Sequence, residues 1–192
     1  IYMNIKKTAN LVLNFAIKRV AEIFGIIIFV SGVLLFTSLI SYSPDDPNFI
    51  FPENTQIKNL LGFQGSFISD LFFQAVGLIA YLISITFLIT GINIFNSKEF
   101  FLFIENIFFV VLYAIFGTLL LAHYYFDTFN IYINGNGGFV GNYLKQTFIG
   151  SLLISNEKIF YYILLLITSI LFLISINFNR KKFILIIKKI FN

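Results

Sequence analysis

Long apolar runs without a formal charge alternate with shorter polar segments along this chain. A bilayer core of about 30 Å takes roughly 20 helical residues, and four runs reach that length. They cover residues 23–43, 71–97, 106–126 and 159–179. None alternates apolar and polar residues over about ten positions, as a transmembrane β-strand does. The pattern therefore predicts an all-α polytopic membrane protein with four transmembrane helices.

The first run follows a basic stretch, as the apolar part of a secretory signal also does. It is longer than the usual 7–15 residues or so of such a signal, and no small-residue cleavage site follows it. We interpret it as an uncleaved anchor. Residues 1–22 before it form a basic segment, for which an interfacial helix and a solvated tail remain equal alternatives.

The placement of Lys and Arg predicts the orientation. Ten of the 13 basic residues precede the first run, follow the fourth run, or lie in the short turn 98–105 between the second and third. The positive-inside rule makes that side cytoplasmic. Both termini are then inside, with residues 180–192 as a basic cytoplasmic segment. The two longer loops, 44–70 and 127–158, face outward, and we expect short interfacial helices in them.

The composition leaves little catalytic equipment. Hydrophobic residues make up 58% of the chain and charged residues 11%, with no cysteine and one histidine. Thiolate metal sites and multi-histidine sites are excluded. His123 lies beside Tyr124 and Tyr125 at the outer end of the third run. An interfacial aromatic belt is favoured over a haem ligand, because no second histidine exists to complete a bis-histidine site. We predict no catalytic residue, no cofactor and no metal site, and we do not expect this chain to be an enzyme.

The first outer loop opens with a proline-bounded turn. Pro44 and Pro47 flank Asp45 and Asp46 and disfavour a helix on both sides. Adjacent carboxylates in a turn point in different directions, so a polar turn is favoured over an acid–base pair or an ion site.

Farther along this loop, Gly62 and Gly65 break the chain. After them, Ser66 or Ser69 together with Asp70 is predicted to cap the helix of the second span.

The second outer loop carries a glycine run at residues 134–141. It lacks the Gly-Lys-Ser/Thr ending of a phosphate-binding loop, so a tight turn is favoured over nucleotide binding. We expect residues 139–154 to fold back as a re-entrant or interfacial helix. Within the spans, Gly77 and Ala80 with Ser84, and Gly117 in the third run, indicate close helix packing.

Four motifs occur in order along the chain. They are S-Y-S-P-D-D-P-N-F at 41–49, a glycine-containing stretch at 59–65, D-L-F-F-x-x-x-G-x-x-A-Y-L at 70–82, and the glycine run before the last span. Together they resemble the N-terminal four-helix membrane domain of the FtsK/SpoIIIE DNA translocases. The departures are Asn48, Phe49, Leu61 and Ser69. The resemblance supplies the candidates for structural or partner contacts, which are Ser41, Tyr42, Pro44, Asp45, Asp46, Pro47, Gly62, Gly65, Asp70, Gly77, Ala80, Tyr81, Gly137, Gly138 and Gly141.

The resemblance implies a bacterial inner-membrane protein of the division septum whose cytoplasmic part is an ATP-driven hexameric DNA pump. The sequence contains no Walker A motif, so ATP and Mg²⁺ are expected only in a motor that this chain lacks. The implied partners are the lipid bilayer, other copies in a hexamer, other cell-division membrane proteins, and DNA only through that motor. An initial Ile and an abrupt end suggest a fragment.

Two alternatives from other classes remain. A small four-helix transporter or channel subunit would carry midplane charges, broken helices or an internal repeat, whereas Glu22 and Glu105 lie near span ends. A membrane-embedded enzyme is disfavoured because His123 is the only histidine and no two carboxylates share a helical face.

Overall fold

A computed structural model describes residues 2–47, 56–126 and 134–178. The predicted tail 180–192 and the parts of both long loops at 48–55 and 127–133 lie outside the described residues, as do Asn48 and Phe49. The described part contains seven helices and no strand, which confirms the all-α class. The helices are α1 (Tyr2–Ile40), α2 (Gly62–Val76), α3 (Ile79–Ser97), α4 (Phe101–Tyr124), α5 (Gly138–Gln146), α6 (Phe148–Ser155) and α7 (Glu157–Ser175).

Four of these helices are long and apolar enough to cross a membrane, as predicted. The candidate spans are Ala9–Ile40, Ile79–Ser97, Phe101–Tyr124 and Glu157–Ser175. The third and fourth begin and end two to five residues before the predicted runs, because helix formation does not require that every residue be apolar. Glu157 lies in the first turn of α7, where a carboxylate is stabilised by the helix dipole.

The second span is shorter than the sequence predicted. The run 71–97 is divided between α2 and α3, because Gly77 adopts a left-handed backbone with φ of 59° and ends the first helix. Hydropathy does not reveal this break, since the residues on both sides are apolar. Of these two helices, only α3, with 19 residues, is long enough to be a candidate span.

The N-terminal segment is not separated from the first span. α1 continues for 39 residues without a boundary at residue 23, since the segment contains no proline and no glycine before Gly25. Its side chains from Leu11 to Val20 are exposed. A helix of this length measures about 58 Å, well beyond a bilayer core of about 30 Å.

Contacts divide the chain into two compact units. The first contains Ile1–Phe73 and Ala80–Ile104. In it α1 and α3 approach closely at glycines, since a Cβ on Gly25 would lie 2.7 Å from the backbone nitrogen of Phe95 and one on Gly91 would lie 2.7 Å from the Cα of Phe29. These glycines were not among the sequence candidates for packing, although small residues are what such an interface requires.

The second unit contains Gln74–Ile79 and Glu105–Asn192. Its core joins Leu119 and Leu120 of α4 to Leu153 of α6 and Leu164 of α7. The predicted single helix over 139–154 is two helices, α5 and α6, which meet at Thr147. The extended backbone of Thr147, with ψ of 178°, interrupts the helix, and its hydroxyl accepts a hydrogen bond from the Ile149 N–H at the start of α6.

Candidate partner-contact site: the turn cluster and the glycine junction

Most of the candidate residues lie in two clusters, one in each unit. We call the first the turn cluster, which consists of Ser38, Ser41, Tyr42, Asp46, Asn59, Ser66 and Asp70. We call the second the glycine junction, which consists of Gly77, Leu78, Asn136, Gly137, Gly138 and Gly141. The two clusters are described in turn below.

Asp46 holds the turn cluster together through the chain's own backbone. Its side chain is buried, and its two carboxylate oxygens accept hydrogen bonds from the backbone N–H groups of Lys58 and Asn59, each at 2.8 Å. The turn that presents it is closed by a bond from the Asp46 N–H to the Ser43 carbonyl. Asp46 thus connects the proline-bounded turn to the segment before α2.

Asp45 has a different partner from its neighbour. It is exposed, and its carboxylate pairs with the Lys58 ammonium at 2.8 Å. The hydrogen bond from Lys58 and its positive charge lower the pKa of Asp45, and the same contact raises the pKa of Lys58. The two adjacent carboxylates therefore do not act together, and the arrangement fixes a turn.

Asn59 is buried in the cluster and was not a sequence candidate. Its side-chain NH₂ donates to the Ser38 carbonyl at 2.9 Å, and its side-chain oxygen accepts from the Leu61 N–H at 3.1 Å. Gly65 lies against this amide, leaving no room for a Cβ. The only signal for Asn59 in the sequence is its place at the start of the glycine-containing stretch 59–65.

Hydroxyl groups join the end of α1 to α2. Ser38 donates to the Gly65 carbonyl at 2.6 Å, and Ser66 donates to the Pro47 carbonyl at 2.7 Å. The Ser41 hydroxyl accepts from the Leu60 N–H. A buried backbone group without a partner destabilises a fold by about 1–3 kcal/mol. These contacts therefore explain why small polar residues occur where the end of α1 meets the start of α2.

The predicted helix cap was wrong. α2 begins at Gly62, so Ser66, Ser69 and Asp70 lie inside the helix and not at its start. The Ser69 hydroxyl donates back to the Gly65 carbonyl at 2.8 Å, a bond that serine makes within helices. Gly62 has φ of 66°, and this left-handed residue turns the chain into α2 nine residues before the predicted start at residue 71.

Aromatic residues of the 70–82 motif pack against the turn cluster. The Tyr42 hydroxyl donates to the Asp70 carboxylate at 3.2 Å, and the Tyr42 ring lies 4.9 Å from the ring of Phe73. Phe73 in turn lies 5.5 Å from Tyr81, whose hydroxyl donates to the Leu39 carbonyl at 3.1 Å. Ala80 next to Tyr81 is fully buried. These residues fix α2 and α3 on the end of α1.

The glycine junction closes the break between α2 and α3. The Leu78 N–H, which the break leaves without a helical partner, donates to the Asn136 carbonyl at 2.9 Å. A Cβ on Gly77 would collide with that carbonyl, and a Cβ on Gly138 would lie 2.6 Å from the Gly77 nitrogen. Both glycines also have positive φ. The glycine run is therefore used for close backbone approach.

The same run packs against α4. A Cβ on Gly137 or Gly141 would lie 2.7 or 2.9 Å from the Cβ of Ala122. Asn136, which directly precedes Gly137, is fully buried and donates its side-chain NH₂ to the Tyr125 carbonyl. Gly117 of α4 is likewise tight, with Ile79 at 2.6 Å from the position of a Cβ. Asn136, like Asn59, was missed because an asparagine near glycine is typical of a turn and does not indicate burial.

Two further polar features lie near span ends. Lys98, in the α3–α4 turn, pairs with Glu22 of α1 at 2.6 Å, and Glu22 also pairs with Arg19. His123 packs its ring 4.6 Å from that of Tyr124, and its Nδ1 atom is buried without a hydrogen bond. In the part of the chain that the structure describes, no three His, Asp or Glu side chains meet as a metal site would need.

Comparison with known proteins points to one family. The family described as the 4TM region of DNA translocase FtsK/SpoIIIE matches residues 17–185. The DNA translocase FtsK of Rickettsia bellii is 32% identical over 129 residues, which are 66% of this chain and 17% of that protein. The one from Rickettsia typhi is 26% identical over 158 residues, which are 82% of this chain and 21% of that protein. No solved structure matches the chain.

Proposed function

The chain belongs to the family of 4TM regions of the FtsK/SpoIIIE DNA translocases, and from this we propose that it anchors and assembles a septal DNA translocase in the bacterial inner membrane. The match confirms the resemblance of the loop motifs. The chain spans about a fifth of the length of the relatives it matches, with 17% and 21% of two of them covered. The ATP-driven pump and its Mg²⁺ therefore belong, in this proposal, to a part outside this chain.

The proposal rests on the structural role of the motif residues. In both clusters the polar and glycine residues of the motifs hold helices and loops together through backbone contacts, as with Asp46 on the Lys58 and Asn59 N–H groups and Asn136 on Leu78. Helices and loops that are fixed in this way are suited to holding a motor and to presenting a surface to other division proteins. We further propose that both termini are cytoplasmic, as the basic residues indicate.

The transporter alternative gains one feature from the structure, because α2 and α3 form an interrupted helix. In transporters such breaks leave backbone groups for a substrate or an ion. Here the freed Leu78 N–H is bonded to the Asn136 carbonyl, and glycines leave no space beside it. The break is therefore filled by the protein itself, which favours the anchor.

Self-assembly is supported by an exposed seam on α1. Its members recur at alternating intervals of three and four residues, as in helices that pair along a heptad. We call it the α1 seam, and it consists of Leu13, Ala16, Val20, Ile23, Ile27 and Val30, all of them exposed. Another face of the same helix is buried within the unit, including Ala21, Gly25 and Ile28. The seam is thus available to a second copy.

The absence of cysteine in the sequence permits a clean test of assembly. With Val20→Cys we expect disulfide-linked dimers in membranes after mild oxidation. The matched control is Lys18→Cys, which is exposed at a similar depth on α1 but lies about 160° around the helix at 100° per residue. Equal cross-linking of the two variants would contradict pairing along the seam, and a strictly monomeric protein would contradict assembly by this chain.

The anchoring role is tested in the full gene product. Replacing the 4TM region with an unrelated four-helix membrane segment should keep the protein in the membrane but abolish its concentration at the septum, as seen by fluorescence microscopy. Deleting the region should release the protein into the soluble fraction. Septal localisation that persists with the unrelated segment would show that another part of the protein finds the septum.

A further inference from the structure

A cavity of about 400 Å³ opens on the surface of the first unit, between α1, α2 and α3. Its walls are mainly apolar and include Leu34 of α1, Ile68 and Phe72 of α2, and Phe87 of α3. Two uncharged polar residues, Ser31 and Gln64, also line it. Neither the family nor the proposed anchoring role assigns a ligand to this cavity.

Its depth relative to the membrane follows from the contacts of α2. The bond from Ser38 to the Gly65 carbonyl places the start of α2 beside the last turn of α1, which ends at Ile40. Ser31 lies nine residues earlier, about 13 Å along the helix axis. The cavity therefore extends from the end of the span into roughly half of the hydrocarbon core, with Gln64 at the end nearest the α1–α2 loop.

The volume and the apolar lining of the cavity decide between possible occupants. An α-helix with its side chains is about 10 Å across, so 400 Å³ would hold only about one turn of a helix from a second copy. Water is disfavoured because the walls are apolar, and the Ser31 hydroxyl already donates to the Ile27 carbonyl at 2.9 Å. A thin apolar chain fits both the volume and the surrounding medium.

We propose that this cavity is a binding site for one acyl chain of a membrane phospholipid. The acyl chain of the lipid lies between Leu34, Ile68 and Phe87. The amide of Gln64 donates a hydrogen bond to the ester carbonyl near the lipid headgroup. Volumes of about 300–1,000 Å³ with apolar walls and a few polar groups are typical of small-molecule sites. A bound lipid would fill the space under α2 and hold α2 against α1.

The test uses the chain in nanodiscs of phosphatidylethanolamine and phosphatidylglycerol that contain a phospholipid with a diazirine in its acyl chain. After illumination, mass spectrometry locates the adducts. At near-full occupancy of a site we expect about fivefold more adducts at residues 31–35 and 61–72 than at Leu165 and Leu166, which are exposed on α7. Uniform labelling of the exposed helix surface would overturn the proposal.

Two tryptophan variants, one that fills the cavity and one that does not, provide the matched comparison. Ile68→Trp places a larger side chain in the space and should lower the adducts at residues 31–35 about fivefold. Val33→Trp is equally exposed on α1 but does not line the cavity, and it should leave them unchanged. Equal labelling of the two variants would also overturn the proposal. So would cross-links between two copies of the protein at this surface. If Ile68→Trp does not fold, the adduct map of the unaltered chain still decides.

Discussion

At the scale of single residues, carboxylate and amide side chains of the two clusters form hydrogen bonds with backbone groups. Asp46 is buried and accepts hydrogen bonds from two N–H groups, whereas Asp45 next to it pairs with an exposed ammonium. The sequence predicted that the two carboxylates would point in different directions. It did not predict which one would be buried, because the partners of Asp46 lie 12 and 13 residues farther along the chain.

Replacing the buried carboxylate should destabilise the fold. Asp46→Ala leaves the N–H groups of Lys58 and Asn59 without an acceptor, and we expect the free energy of unfolding to fall by about 2–3 kcal/mol. Thermal unfolding in detergent, followed by circular dichroism, measures the effect. Asp45→Ala is the control and should leave the melting temperature nearly unchanged, because its ion pair is exposed. A large loss in both variants would contradict the separate roles of the two carboxylates.

The Asp45–Lys58 pair should be insensitive to pH across the neutral range. The pKa of Asp45 is lowered, so its contribution to stability is present above the unfolded value near 3.8 and is lost only as the pH falls through the folded value. The pKa of Lys58 is raised above 10.5, so its contribution is lost only as the pH rises through that higher value.

To check this, the melting temperatures of the unaltered chain and Lys58→Met are compared between pH 5 and pH 9. We expect a constant difference, and a difference that changes near pH 7 would contradict the assignment.

Gly77 and Gly62 separate two effects of a methyl group. Both have positive φ, which disfavours alanine by about 1–2 kcal/mol. A Cβ on Gly62 would meet open space, whereas one on Gly77 would collide with the Asn136 backbone. We therefore expect Gly62→Ala to lower the melting temperature modestly and Gly77→Ala to prevent folding or to lower it much further. Equal effects would show that the glycine junction is not tightly packed.

At the scale of the elements, the sequence predicted where helices are and missed where they are interrupted. Run length and the absence of charge identified the segments that became α1, α3, α4 and α7. The interruption at Gly77 lies inside an apolar run, where hydropathy gives no signal. The one at Thr147 follows Lys145 and Gln146, but a short polar stretch does not by itself end a helix. Each break is stable because the N–H group that it frees has an acceptor. The Leu78 N–H donates to the Asn136 carbonyl, and the Ile149 N–H donates to the Thr147 hydroxyl.

The α5–α6 break should depend on the hydroxyl of Thr147. This hydroxyl accepts from the Ile149 N–H and donates to the Leu144 carbonyl at 2.6 Å. Loss of an N-cap destabilises a protein by about 1 kcal/mol, which we expect for Thr147→Ala. Thr147→Ser keeps the hydroxyl and should melt close to the unaltered chain. The proposed role of the cap would be wrong if both variants melted at the same lowered temperature.

At the scale of the whole molecule, the charge distribution predicts which loops share a side of the membrane. In a chain without native cysteine, Gln56→Cys before α2 and Glu99→Cys in the α3–α4 turn place single thiols at exposed positions. With both termini cytoplasmic, a membrane-impermeant maleimide should label Gln56→Cys in intact cells. It should label Glu99→Cys only after permeabilisation. The reverse pattern would overturn the orientation, and labelling of both in intact cells would contradict a membrane crossing by α3, which lies between the two positions.

Composition and the length of its apolar runs by themselves determined that this chain is helical and has four segments able to cross a membrane, because the free energy of membrane insertion depends mainly on local hydropathy. Loop motifs also identified its family, and they included Gly77, Gly138 and Asp46 among the important residues. Only the tertiary structure decided what these residues do. The acceptor of the Leu78 N–H is 58 residues away, at Asn136, and the partners of Asn59 lie in α1 and α2. Contacts of this kind depend on how the helices and loops pack, which no local pattern records.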